Sequence, residues 1–70
     1  MLKLKVINNF IYTVFDSQIY LFRCDNQTTY IIDLEFLPIL ELINVGNNNM
    51  TKNDMKNCFF LIKNGVLVSE

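Results

Sequence analysis

Histidine is absent, and with it the commonest general base and metal ligand, which leaves the carboxylates, thiols and serine hydroxyls among the groups that could do chemistry. Asp33, Glu35 and Glu41 cluster around one helix start. Paired carboxylates can do acid–base work, but compensation of the helix dipole accounts for Asp33 and Glu35 more economically. Asp16, Asp25 and Asn26 could be fragments of a cation site, and turn chemistry explains them with less. Cys24 and Cys58 are not in a CxxC arrangement, and a nucleophilic cysteine needs an electropositive, partly exposed setting. Cys58 instead falls on an apolar stripe, so both thiols read as buried, reduced core residues. Ser17 sits in a turn and Ser69 near the C-terminus, neither in a G-x-S-x-G context. Gly46 and Gly65 are the only glycines, too few for a phosphate-cradling loop. No catalytic residue, metal ligand or cofactor is expected. The chain reads as a binding module and not an enzyme.

Seventy residues form one domain, 1–70, and one this small buries only about 60% of its unfolded surface. Hydrophobic residues make up 51% of the chain, enough to fold without a metal or disulfide. So apolar a composition in a small domain implies exposed apolar surface, and with it a partner or a dimer. The six cations (Lys3, Lys5, Arg23, Lys52, Lys56 and Lys63) are scattered and the net charge is -1. That argues against nucleic acid, which is held mainly through clustered basic residues. No apolar run approaches the roughly 18 residues of a membrane span. The start Met1-Leu2-Lys3-Leu4-Lys5 alternates where a signal peptide would be continuously apolar, which places the protein in the cytoplasm.

The elements that must position any site divide by period. Leu2, Leu4 and Val6 alternate with polar residues as a short opening strand. Phe10–Phe15 and Gln18–Cys24 are β-branched and aromatic, with Asp16-Ser17 between them as a two-residue hairpin turn. Asp25-Asn26-Gln27 is a second turn, and Thr28–Asp33 the next strand. From Asp33, a candidate cap, the period becomes helical through Ile43, with Phe36, Leu40 and Ile43 on one stripe. Pro38 requires that helix to start late or to kink. The polar break Asn44–Asn49 precedes a second helix opened by Thr51 and Asp54 as a capping box. Met55, Cys58, Phe59 and Ile62 form its inner face, and Asn64-Gly65 ends it through a left-handed turn. Val66-Leu67-Val68 can then return to the sheet. The expected fold is α+β, a small winged-helix-like domain. It has a three-stranded antiparallel meander, with or without a fourth N-terminal strand, followed by two or three helices.

Two features can carry binding. The strand Thr28, Thr29, Tyr30, Ile31 and Ile32 has Gln18–Cys24 on one side. Its other edge either is open to an extended peptide or is covered by the N-terminal strand or Val66–Val68. Phe60 lies opposite the inner face of the second helix, beside Asn53, Lys56 and Asn57, with Leu61 on the shoulder. A large aromatic there is a scattered exposed residue or an interface anchor, and the adjacent Leu61 favours the anchor.

The segment from Asp16 to Asp33 (DSQIYLFRCDNQTTYIID), the helix EFLPILELI (35–43) and the ending FFLIKNGVLV (59–68) together resemble the PqqD-like winged-helix domain. This is the element that recognises leader peptides of ribosomally synthesised, modified peptides. The resemblance covers most of the chain. It departs from the family in offering only Asn44–Met50 where members carry a further short helix. It implies that a leader adds as a strand along Thr28–Ile32, against a wall of Asn53, Lys56, Asn57, Phe60 and Leu61. The implied partners are a precursor peptide and a modifying enzyme or leader peptidase, with the domain a monomer or homodimer. Two other classes compete. A winged-helix DNA-binding regulator would use Lys52, Lys56 and Lys63 on phosphates, and a structural or inhibitory subunit would bury its apolar surface against a copy or a target.

Overall fold

The computed structural model describes residues 5–47 and 49–70. The expected strand over Leu2 and Leu4 lies mostly outside them. The chain runs β1 (Val6–Ile7), β2 (Phe10–Phe15), β3 (Gln18–Arg23), β4 (Thr28–Asp33), a 3-10 turn (Leu34–Phe36), α1 (Leu37–Asn44), α2 (Lys52–Lys63) and β5 (Val68–Ser69). β2, β3 and β4 form an antiparallel sheet in sequence order, and β1 pairs only with β5 in a separate two-stranded ribbon. The α+β meander followed by helices is therefore present. Among the described residues the N-terminal strand is not a fourth member of the meander, and no further helix lies between Asn44, where α1 ends, and Met50. The tail also does not return to the meander: Val66 and Leu67 are core residues, and Ile7 pairs with Val68.

Local chemistry explains the joints. Asp16 and Ser17 take φ of 53° and 62°, the double left-handed geometry that matches a two-residue turn to the twist of its strands. The loop after β3 is stabilised by Asn26, whose side-chain oxygen accepts from the Thr28 N–H at 3.1 Å. Pro38 lies in the first turn of α1, where its missing N–H costs nothing. The helix thus starts late, after a 3-10 turn that Asp33 precedes without a side-chain capping bond. Thr51 and Asp54 form the full capping box. Both glycines sit just past helix ends, at φ +71° and +77°. At the second of these, the Val66 N–H reaches the Leu61 carbonyl at 2.9 Å and the Gly65 N–H that of Ile62 at 3.0 Å, the Schellman arrangement.

The core lies between one face of the sheet and the two helices. The sheet contributes Phe10, Ile19 and Leu21; the 3-10 turn and α1 contribute Phe36, Ile39, Leu40 and Ile43; α2 and its exit contribute Cys58, Leu61, Val66 and Leu67. Expectation and structure differ at α2. Its buried stripe is rotated toward Leu61, so Leu61 is fully buried and Phe59, expected inside, is 50% exposed. Cys24 is exposed rather than buried, and both cysteines are free.

Candidate functional site

The hydrogen-bond parity of the sheet decides which backbone groups β4 can offer. A two-residue turn closes on a doubly bonded pair, here Phe15 and Gln18. The same alternation makes Asn9 and Cys24 a bonded pair, and the Cys24 N–H donates to the Asn9 carbonyl at 2.8 Å. β3 therefore turns the backbone of Ile19, Leu21 and Arg23 toward β4, where they meet Ile32, Tyr30 and Thr28. Thr29, Ile31 and Asp33 are left with N–H and C=O groups directed away from β3. Among the described residues no strand pairs with that side. Thr28 and Thr29 are exposed, Ile31 is 57% exposed, and Tyr30 and Ile32 are half-buried against the core.

α2 is held at two points that bracket β4. Phe60 stacks on Phe36, three residues past the strand, with ring centroids 5.5 Å apart and planes 4° from parallel. Phe36 is buried while Phe60 keeps 53% of its surface exposed, so the stack fixes the ring and leaves one side of it open. At the other end, the Arg23 guanidinium donates to the Gly65 carbonyl at 2.6 Å and grips both carboxylate oxygens of Asp25. Arg23 pairs across the sheet with Thr28. That fork lowers the Asp25 pKa and raises that of Arg23, because each charge stabilises the other.

Of the residues singled out in sequence, Thr28–Ile32 lie along one edge and Phe60 is tied to its end through Phe36. Asn53 and Lys56 are exposed on α2 and Asn57 is half-buried. Leu61 does not belong to the wall: at 0% exposure it cannot touch a ligand. Arg23 was missed as the tether, although a cation closing an apolar strand two residues before an aspartate is a visible sign of a fork. Burial pushes the Cys58 thiol up to about 11, the behaviour of an inert core thiol. Among the described residues no three potential metal ligands come together, and no helix is long and apolar enough to cross a membrane. A shallow depression of about 540 Å³ between the helices is lined by Pro38, Glu41, Leu42, Val45 and Asp54, without a nucleophile. No family model, curated protein or solved structure matches the chain.

Proposed function

We propose that this protein is a non-catalytic adaptor that binds an extended peptide by strand addition along β4 and presents it to a separate enzyme in the cytoplasm. The observation that carries the reading is the open edge of β4, with Thr29 and Ile31 directing backbone groups outward and no described strand beside them. Main-chain hydrogen bonds to such an edge supply affinity, and side-chain anchors supply specificity. Phe60 is the anchor: a half-exposed ring fixed by stacking loses little freedom on binding. The peptide is the leader of a ribosomally synthesised precursor, and the enzyme modifies the precursor or cleaves its leader. The adaptor's contribution is proximity, which raises the precursor's effective concentration at the catalyst.

The test is titration of isotope-labelled protein with the leader segment of a short precursor encoded beside it. Amide shifts should concentrate at Thr29, Ile31 and the residues around Phe60. Phe60→Ala should weaken binding about tenfold, the loss typical of an interface anchor. Absence of shifts along Thr28–Ile32 overturns the reading.

A further inference from the structure

A meander with helices on one face is expected to be polar on the other, so that its strands alternate apolar and polar residues. These strands do not. FIYTVF in β2, IYLF in β3 and YII in β4 are nearly continuous apolar runs, the pattern of a sheet covered on both faces. The helices cover the face of Ile19 and Leu21. Cross-strand partners share a face, so the register places Ile11–Phe22–Thr29, Thr13–Tyr20–Ile31 and Phe15–Gln18–Asp33 in three rows on the other. Ile11, Phe15 and Ile31 are 65%, 68% and 57% exposed. A hollow of about 250 Å³ opens between Ile11, Thr13, Phe22 and Thr29. Phe15 stands at the opposite end of the same face, its ring 6.4 Å from that of Tyr20.

We infer that this outer face pairs with the same face of a second copy, Phe15 of each entering the hollow of the other. A two-fold axis lying across the strands at the row of Thr13, Tyr20 and Ile31 reverses strand direction while keeping β2 over β2 and β4 over β4. It sets the row of Phe15, Gln18 and Asp33 on the row of Ile11, Phe22 and Thr29, and reciprocally, as an isologous contact requires. Knob meets hole at both ends. Asp33 is the one charged residue of the face, and the operation seats it against Thr29 of the partner copy. The two carboxylates end about 13 Å apart along the strands, beyond the screening length at physiological salt. A face with no cation and one corner carboxylate has nothing to attract a charged partner, whereas it matches itself. The areas agree with a modest dimer: three six-residue strands span roughly 20 by 14 Å. Two such faces with their side chains remove on the order of 1,000 Å² from water, the lower bound for a specific interface. The outer edge of β4 stays open in this arrangement, so the inference stands or falls independently of peptide binding.

Sedimentation equilibrium over a concentration series, extended to about 1 mM, tests it. Wild type should pass reversibly from its 8.2 kDa monomer to twice that mass with a micromolar dissociation constant. Phe15→Lys should raise that constant at least tenfold with an unchanged circular dichroism spectrum, and Phe59→Lys, on α2, should leave it unaltered. In a mixed labelled and unlabelled sample, contacts should appear between the Phe15 ring and Ile11 or Phe22 of the other copy. A mass that stays monomeric throughout overturns the inference. So does dimerisation of Phe15→Lys at the wild-type constant, or intermolecular contacts confined to other surfaces.

Discussion

Cys58 shows how one buried side chain can set the pH range of the fold. It is fully buried, and its thiol is held at about 11, against an ordinary 9.0, because burial disfavours the thiolate. The unfolded chain ionises at the lower value, so between about pH 9 and 11 the folded state binds more protons than the unfolded one. Stability from this residue is complete below the lower value and falls as pH rises through the window, by about 1.4 kcal/mol per pH unit. Cys58→Ala should be less stable than wild type at neutral pH, since it leaves a small cavity. Its stability should decline less between about pH 9 and 11, so the two curves converge. Urea midpoints across that range measure this, and parallel curves would mean that the thiol ionises freely in the folded state. Asp25, drawn down by Arg23, works in the opposite direction: its fork to the guanidinium is complete above the ordinary carboxylate pKa and is lost as pH falls through its lowered value.

At the scale of elements, β4 separates a ladder side from an open side residue by residue, and proline can read the difference. Proline in a strand is tolerated where its missing N–H would face away from the sheet. Ile31 directs its N–H outward and Tyr30 directs its N–H to Leu21. Ile31→Pro should therefore keep the fold and lose peptide binding. Tyr30→Pro should unfold at a markedly lower denaturant concentration, because it removes a ladder bond and disrupts packing. Equal destabilisation by the two would overturn the assigned parity. The meander strands, their turns and the two ends of α2 were legible in sequence because each rests on local chemistry, such as Thr51 with Asp54 or the glycine after Asn64, whereas Asp33 makes no side-chain cap and the first helix starts after it. The orientation of α2 was not legible. Cys58–Ile62 is five apolar residues in a row, and such a run carries no phase. Contacts with Phe36, and the fold-back of Val66 and Leu67 over Leu61, choose which of them go inside. The exclusion of β1 from the meander was illegible for a related reason: its partner, Val68–Ser69, is about sixty residues away and no local signal announces it.

At the scale of the whole molecule, the residues after α2 belong to the core more than their short tail suggests. Val66 and Leu67 are 4% and 2% exposed, and each such side chain contributes roughly 1.5–3 kcal/mol on burial. A domain of this size has about 4–10 kcal/mol in total, so losing both residues removes a large share of it. Beyond them, Glu70 donates its N–H to the Lys5 carbonyl at 2.9 Å and pairs with the Lys5 ammonium at 3.4 Å through side chains that are 73% and 57% exposed. An exposed pair contributes little, and the hydrogen bond about 1 kcal/mol. Truncation after Gly65 should abolish cooperative urea unfolding, whereas truncation after Val68 should lower stability by only about 1–2 kcal/mol. Tyrosine fluorescence and circular dichroism report both. A cooperative transition in the shorter protein would mean that sheet, α1 and α2 close a sufficient core alone, with the β1–β5 ribbon an addition to it. Loss of folding would instead make Val66 and Leu67 part of the smallest core that closes, and so necessary to hold the helix that carries Phe60 beside β4.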